Sequence, residues 1–218
     1  FHGVVGIHDI DTRALTRHLR DHGAQMGMIT TSNEALPALL ERLRFGQKLV
    51  GRDIVQEVTT DKSYVWPLGE GSAPAAQKKY RVAVYDFGVK FSILRSLYKS
   101  GCELEVFPAQ TPPEKILAWK PDGIFLSNGP GDPEAVDYAI RNVRQLLGKK
   151  PIFGICLGHQ IMGLAFGGKT FKLKFGHHGG NQPVLNTDLN KVEITAQNHG
   201  FAVRSEERRV GKECRSRW

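Results

Sequence analysis

The sequence predicts an α/β protein with an open, mostly parallel sheet flanked by helices, preceded by part of a smaller N-terminal domain. Three observations point to this fold. From residue 79 onward, short apolar runs alternate with segments of helical periodicity, as in parallel sheets covered by helices on both faces. Two of those runs lead directly into glycine-rich turns, SNGPGDP and CLGHQ. The residues before position 79 lack this rhythm, so they are assigned to a different domain and a linker.

The first 50 residues are interpreted as the C-terminal part of the smaller domain. In DIDTRALTRHLRDHG, Asp11 or Thr12 can cap a helix that Gly23 ends. A second helix is predicted from about residue 34 to 44, where leucines recur at helical spacing. Residues 51–78 are rich in Pro, Gly, Ser and Ala, a composition that predicts a linker between the two domains.

The second domain is predicted to span residues 79–203 and to be incomplete. Its elements in order are strand 81–85, helix 92–100, strand 104–107, helix 113–119, strand 123–126, helix 134–147, strand 151–155, a helix from about 159 to 166, and strands near 169–174 and 192–196. Ligands of such sheets bind beyond the carboxyl ends of the strands. The turns that follow strands 123–126 and 151–155 are therefore the predicted site.

Composition and charge exclude several classes of protein. The 218 residues are 40% hydrophobic and 24% charged, and no apolar stretch approaches the length of a spanning helix. The net charge of +8 is scattered, without a basic helix interleaved with aromatic residues, so neither nucleic acid nor a membrane is an expected partner. Three cysteines without a CxxC pair argue against a disulfide framework and favour a reducing cytoplasm.

Both ends of the chain are unusual. It opens on Phe1 within an apolar segment, so we expect the numbering to begin inside a longer protein. The last fifteen residues, 204–218, read RSEERRVGKECRSRW, which a common sequencing adapter can encode. We interpret them as an assembly artefact; the alternative is a genuine basic tail.

GICLGHQ is the most informative segment for function. Gly154, Cys156 and Gly158 form a G-x-nucleophile-x-G pattern, in which glycines permit a tight strand-to-helix turn that exposes the nucleophile. A thiol at a helix N-terminus is expected to favour the thiolate, and the Leu157 backbone N–H is suitably placed to bind an oxyanion. The alternative is that Cys156 is a small buried hydrophobe.

SNGPGDP supplies the second half of the predicted site. Gly129 and Gly131 leave backbone N–H groups uncovered at a strand end, where they can bind an oxyanion or a carboxylate. The alternative is that the segment is a turn without a binding role. No metal is expected at His177-His178, which we interpret as part of a structural loop. Asp86-Phe87-Gly88 has the letters of a kinase magnesium motif, but the other kinase motifs are missing, so we attribute the match to chance.

Five segments in this order carry a resemblance to a known family: AVYDFG, LSNGPGDP, FGICLGHQ, KFGHHGGNQPV and ITAQNHGFAV. They resemble the class I glutamine amidotransferase domain, with its flavodoxin-like fold, of the small, glutamine-hydrolysing subunits of carbamoyl-phosphate synthases. DIDTRALTRHLRDHGAQ resembles the end of the N-terminal domain in the same subunits. The resemblance covers residues 1 to about 203.

The resemblance implies a reaction and a set of residues. Cys156 would attack the carboxamide of L-glutamine, form a glutamyl thioester and release ammonia. Leu157 and Gly131 would bind the oxyanion; the substrate contacts would be Gly129, Gln160, Asn198, Gly200 and Phe201. No cofactor is implied for this chain. A large synthetase subunit would consume the ammonia with bicarbonate and ATP, making carbamoyl phosphate for pyrimidine or arginine biosynthesis.

The sequence departs from the family in one respect. A cysteine amidotransferase needs a histidine base and an acidic residue that orients it, which the family carries in a His-Pro-Glu motif downstream of AQNHGF. The 218 residues contain no His-Pro-Glu. We therefore expect this chain by itself to hydrolyse glutamine negligibly. The alternative function is a non-catalytic, amidotransferase-like subunit with a binding or regulatory role.

Overall fold

The computed structural model describes residues 3–46, 48–66 and 80–204. The helices are α1 (Thr12–His22), α2 (Leu36–Arg44), α3 (Val55–Val58), α4 (Phe91–Lys99), α5 (Pro113–Ala118), α6 (Asp137–Leu146) and α7 (Leu157–Ala165), with a 3₁₀ turn at Pro133–Ala135. The strands are β1 (Tyr64–Trp66), β2 (Tyr80–Asp86), β3 (Cys102–Pro108), β4 (Gly123–Leu126), β5 (Ile152–Gly154), β6 (Thr170–Asn186) and β7 (Lys191–Val203). The segment 205–218, which together with Arg204 was predicted to be adapter-encoded, lies outside the described residues. None of the helices in the described ranges is long and apolar enough to cross a membrane.

The chain forms two compact units. The described parts of Val50–Phe171 and Phe201–Trp218 form the sheet unit, and those of Phe1–Leu49 and Lys172–Gly200 form the hairpin unit. The five strands of the sheet unit have the order β1-β3-β2-β4-β5. β2 through β5 pair in parallel, and β1 pairs antiparallel with β3 at one edge. This arrangement confirms the predicted open, mostly parallel α/β sheet.

The core lies on both faces of the sheet because side chains alternate along each strand. On β2 and β4, Ala83, Tyr85, Ile124 and Leu126 point into one cluster, which packs against α5, α6 and α7. The intervening Val84 and Phe125 join a second cluster, which includes Leu94 of α4. Both faces are therefore covered by helices, as the alternation of short apolar runs with helical segments predicted.

The stretch expected to be a linker, 51–78, is structured in its described part. Val55–Val58 is a short helix whose Val55 is fully buried in the core, and Tyr64–Trp66 is the edge strand β1. The sheet unit therefore begins near residue 50 instead of residue 79. The expectation failed because a four-residue helix and a three-residue strand are too short to produce a hydrophobic period. Residues 67–79 lie outside the described part of the chain.

Within the hairpin unit, α1 has the predicted ends. The Asp11 carboxylate accepts a hydrogen bond from the Ala14 backbone N–H at 2.8 Å, and Gly23, with φ of 89°, ends the helix. A Cβ on Gly23 would lie 2.9 Å from the carbonyl oxygen of Lys174, so the side-chain-free residue permits this close approach. α2 begins two residues later than predicted, and neither helix buries a side chain in the described residues.

The strands β6 and β7 are longer than predicted and form a two-stranded sheet. The loop 187–190 joins them, and the Asn186 carboxamide oxygen accepts hydrogen bonds from the Asp188 and Leu189 N–H groups, both at 3.1 Å. The segment containing His177 and His178 is part of β6, so the expectation of a loop there was wrong. The sequence FGHHGG misleads because its glycines suggest a loop, although Gly176 and Gly179 adopt positive φ inside the strand.

Candidate active site

The candidate site lies at the carboxyl ends of the parallel strands β2, β4 and β5, which are neighbours in the sheet. Asp86 ends β2, the loop 127–132 follows β4, and Cys156 comes two residues after β5. Because parallel strands end at the same edge, three segments that are distant in sequence meet here. The two turns that the sequence analysis predicted as the site both lie at this edge.

Cys156 occupies a strained turn between β5 and α7. Its φ of 52° and ψ of −108° lie in a region that non-glycine residues rarely adopt. Such strain persists only where the surrounding structure imposes it, and it is concentrated at functional sites. The G-x-C-x-G pattern therefore forms the tight strand-to-helix elbow that its spacing predicted, and the role of Cys156 as nucleophile stays a prediction.

The two flanking glycines are required because backbone fills the space where a side chain would lie. A Cβ on Gly154 would be 2.6 Å from the backbone carbon of Gly158. A Cβ on Gly158 would be 2.2 Å from the carbonyl oxygen of Leu126, at the end of β4. The elbow is held against β4 by hydrogen bonds from Ile155 N–H to the Leu126 carbonyl and from Gly158 N–H to the Ser127 carbonyl, at 3.1 and 3.0 Å.

The Cys156 thiol is partly buried, and its environment differs from the sequence expectation. Burial raises the pKa of the thiol above its ordinary value, and a hydrogen bond from the Leu157 backbone N–H offsets part of this rise. The helix N-terminus was expected to favour the thiolate, but desolvation outweighs it here. The Leu157 N–H donates to the Cys156 sulfur, so its predicted role as an oxyanion donor stays a prediction. A thiol whose pKa is raised depends more strongly on a proton acceptor when it attacks a carboxamide.

Alkylation of Cys156 by iodoacetamide should consequently have a higher apparent pKa in the folded chain than in the unfolded chain. Only the thiolate reacts, and burial keeps the folded thiol protonated to higher pH. Peptide-resolved mass spectrometry can follow Cys156 over about pH 6 to 11, in buffer and in urea. A folded midpoint at or below the unfolded one contradicts the burial argument. The pH midpoint of alkylation is compared, and not the rate, because restricted access of iodoacetamide to the buried thiol lowers the rate at every pH.

The loop SNGPGDP packs directly beside the elbow. A Cβ on Gly129 would lie 2.7 Å from Cδ2 of Leu157 and 2.2 Å from the carbonyl oxygen of Phe87, so only glycine fits between them. Gly131 has a φ of 94° and faces the backbone of residues 52–54. The structure thus brings Gly129 beside the proposed oxyanion donor Leu157.

Two further predicted site residues lie together near the elbow. The buried Gln160 side chain donates a hydrogen bond from Nε2 to the carbonyl oxygen of Phe201 at 2.7 Å, and its backbone N–H bonds the Cys156 carbonyl. Phe201, itself buried, is thereby tied to the first turn of α7. Their predicted contacts with glutamine stay predictions, since this hydrogen bond gives Gln160 a structural role as well.

Asn198 and Gly200, the remaining predicted contacts, belong to the hairpin unit. Within it, the Asn198 carboxamide oxygen lies 2.6 Å from Nδ1 of His178. The neighbouring His199 places its Nε2 3.2 Å from Nδ1 of His177 and 2.8 Å from the carboxamide oxygen of Gln197. The adjacent histidines of β6 are therefore bonded to successive residues of β7. This network was not predicted, because strand register is invisible in the sequence.

Sequence reasoning missed the side chains that support the loop and the elbow. Asp86, Ser127 and Asn128 bond backbone groups at the ends of β2 and β4. Arg144 of α6 donates hydrogen bonds to the carbonyls of Ala165 and Leu164, at the C-terminal end of α7. For Asp86, the signal in the sequence was the segment Asp86-Phe87-Gly88 at the end of a strand, which was attributed to a chance match with a kinase motif.

The parallel sheet and the cysteine elbow beside a glycine-rich loop are the arrangement that the resemblance to amidotransferases implied. The chain belongs to the family glutamine amidotransferase class-I, whose sequence model matches residues 83–214. Residues 1–29 match a second model, carbamoyl-phosphate synthase small chain, CPSase domain. Within the amidotransferases, this chain is accordingly similar to the carbamoyl phosphate synthase small chain.

Curated relatives carry that name. The chain is 55% identical over 206 residues to the carbamoyl phosphate synthase small chain of Syntrophotalea carbinolica, a match covering 92% of this chain and 55% of that protein. For the protein of the same name from Escherichia coli O6:H1, the identity is 53% over 212 residues, covering 93% and 56%. The chain thus spans about half the length of these relatives. A solved structure of a glutamine amidotransferase from Thermotoga maritima matches with 16% identity and a TM-score of 0.43, over 57% of this chain and 62% of that one.

Proposed function

We propose that this chain carries the nucleophile of a glutamine-hydrolysing small chain of a carbamoyl phosphate synthase. The observation that supports this most directly is the strained elbow at Cys156, packed against the Gly129 loop. A buried cysteine with only a structural role would not require a backbone conformation that costs about 1 to 3 kcal/mol. The strained backbone is explained if it serves to expose the thiol above the edge of the sheet, at the N-terminus of α7.

The proposed reaction proceeds through a thioester. The Cys156 sulfur attacks the carboxamide carbon of L-glutamine while the backbone N–H of Leu157, with that of Gly131, stabilises the oxyanion. The thiol proton passes to the leaving nitrogen, the C–N bond breaks, and ammonia departs. Water then hydrolyses the thioester, which yields glutamate and regenerates the thiol. The proton transfers need a base, for which the family uses its His-Pro-Glu histidine.

The remaining parts of the proposal concern the partner and the setting. A large synthetase subunit would combine the ammonia with bicarbonate and ATP into carbamoyl phosphate, for pyrimidine or arginine biosynthesis. This chain would need no cofactor of its own. Because Cys102 and Cys156 are both present as thiols, a reducing cytoplasm suits it. The purified 218-residue chain should release negligible ammonia from glutamine, since its sequence contains no His-Pro-Glu.

Covalent capture by a glutamine-shaped chloromethyl ketone tests the proposal without requiring turnover. The thiolate of Cys156 displaces chloride and forms a C–S bond, so the adduct can be located by peptide mass spectrometry. Labelling should occur at Cys156, should be slowed by L-glutamine and not by D-glutamine, and should vanish in Cys156→Ala. The matched variant Cys102→Ala, which removes the other thiol in the described residues, should label as the wild type does. Labelling indifferent to L-glutamine would contradict the proposal and favour the non-catalytic alternative.

A further inference from the structure

Loop 127–131 is fixed to the end of β2 by side chains that do not belong to the predicted site. Phe87 N–H donates to the hydroxyl oxygen of Ser127 at 2.9 Å, and that hydroxyl donates to the carbonyl of Asn128 at 2.7 Å. Ser127 is completely buried. A buried hydroxyl that both accepts and donates has a single orientation, so it fixes the start of the loop relative to Phe87.

Asn128 makes the more informative contact. Its carboxamide Nδ2 donates to the carbonyl of Gly88 at 3.0 Å, and its carboxamide oxygen accepts from the backbone N–H of Lys90 at 3.0 Å. The side-chain amide thus bonds one acceptor and one donor of the 88–90 backbone, as a neighbouring strand would. Such a two-point contact sets distance and orientation together.

The segment next to this contact is the one that meets the elbow. Gly129 follows Asn128 directly and lies between the Phe87 carbonyl and the Leu157 side chain, with no room for a Cβ. On the other side, the Ser127 carbonyl accepts the Gly158 N–H at 3.0 Å. A shift of Asn128 relative to residues 88–90 would therefore change the spacing between the glycine loop and the Leu157 N–H.

We infer that Asn128 is a positioning residue, whose side-chain amide holds the Gly129–Gly131 loop at the distance from Leu157 that oxyanion binding requires. The inference rests on the proposed function, because it assigns Asn128 a role in that reaction. Asn128 acts through the backbone of the loop. Misplacement of catalytic groups by about 1 Å is enough to slow a reaction by about 100-fold, and oxyanion donors act only when they lie within hydrogen-bond distance of the oxyanion.

Asn128→Asp is the sharpest variant. It keeps the shape of the side chain and the acceptor for Lys90 N–H, but it replaces the donor to the Gly88 carbonyl with a second oxygen. The matched control is Asn142→Asp on α6, where an asparagine Nδ2 likewise donates to a backbone carbonyl, that of Thr111, at 3.1 Å. Both variants make the same chemical change at partly buried sites of the sheet unit.

The readout is the ratio of two rates at Cys156, measured on the whole 218-residue chain. The glutamine-shaped chloromethyl ketone needs its carbonyl oxygen bound, whereas iodoacetamide does not, and both need the thiolate. Their ratio therefore cancels changes in thiol pKa and reports the oxyanion site. In Asn128→Asp the ratio should fall about tenfold or more, and in Asn142→Asp it should match the wild type. A general loss of stability would raise iodoacetamide labelling in both variants.

Each outcome separates the inference from the proposed function. An unchanged ratio in folded Asn128→Asp, in a protein whose wild type prefers the glutamine probe, overturns the positioning role alone. A wild-type chain without that preference overturns both. If near-ultraviolet circular dichroism shows that Asn128→Asp does not fold, Asn128→Ala takes its place, since it removes both the donor to the Gly88 carbonyl and the acceptor of the Lys90 N–H without adding a charge. An unchanged ratio in Asn128→Ala then overturns the inference.

Discussion

Gly158→Ala should destabilise the sheet unit by about 3 to 5 kcal/mol, enough to unfold much of a domain of ordinary stability. The added Cβ would lie 2.2 Å from the Leu126 carbonyl oxygen and 2.7 Å from the Leu126 Cβ. The carbonyl belongs to the last residue of β4 and accepts the Ile155 N–H, so it cannot move without breaking the pairing next to the elbow. Alanine is the better helix former by about 1 kcal/mol, but this gain does not offset a collision with backbone.

Gly163→Ala is the matched control, because Gly163 lies in the same helix. Its added Cβ would meet a side chain, Cγ2 of Val203, at 2.9 Å. A valine side chain can shift slightly where a strand carbonyl cannot, and the gain in helix propensity is the same at both positions. Gly163→Ala should therefore cost no more than about 1 kcal/mol. Urea unfolding of the three proteins gives the comparison, and equal losses would refute the backbone collision as the cause.

The local sequence pattern was sufficient to predict the elbow at Cys156. Gly154, Cys156 and Gly158 predicted the strand-to-helix turn because its tightness depends on residues within five positions of one another. The strands 81–85 and 123–126 were also predicted correctly, since buried parallel strands are continuous apolar runs. Where the cause of a feature is local, the sequence therefore predicts the structure.

The features that were missed depend on contacts between distant segments. Strand β1 has only three residues, and it is a strand because β3, about forty residues later, offers an edge with which to pair. The histidines of β6 were assigned to a loop because their partners on β7 follow from register alone. The raised pKa of the Cys156 thiol likewise results from burial by residues that are distant in sequence.

Dependence on distant contacts also explains why the Asp86-Phe87-Gly88 motif was attributed to chance in the sequence analysis. The partners of Asp86 include the Thr60 N–H, which lies in the stretch assigned to the linker, so the sequence offered no reason to join the two. With the linker assignment corrected, the Asp86 side chain connects Thr60, which precedes β1, to Gly88 and Val89, which follow β2.

Asp86→Ala is expected to be the second most damaging substitution, with a loss of about 3 kcal/mol. The Asp86 side chain is almost completely buried, and its two oxygens accept hydrogen bonds from Gly88, Val89 and Thr60 N–H groups at 2.9, 2.8 and 2.9 Å. Alanine leaves all three donors without this acceptor, at a cost of about 1 kcal/mol or more for each. The loss is partly offset, because a charged group no longer has to be buried.

Asp122→Ala separates this role from the general effect of removing an aspartate. Asp122 is exposed and accepts one backbone hydrogen bond, from Arg81 N–H at 2.7 Å, at the opposite end of β2. Its loss should cost about 1 kcal/mol or less. Asp86→Asn should fall between the two, since its carboxamide oxygen can still accept from Gly88 and Val89 while its NH₂ group cannot accept from Thr60. If urea unfolding shows that Asp122→Ala and Asp86→Ala lose the same free energy of unfolding, the Asp86 side chain does not hold Thr60 against the loop after β2. If the expected order is found, the residues 86–89 on which Asn128 is anchored are themselves fixed by Asp86.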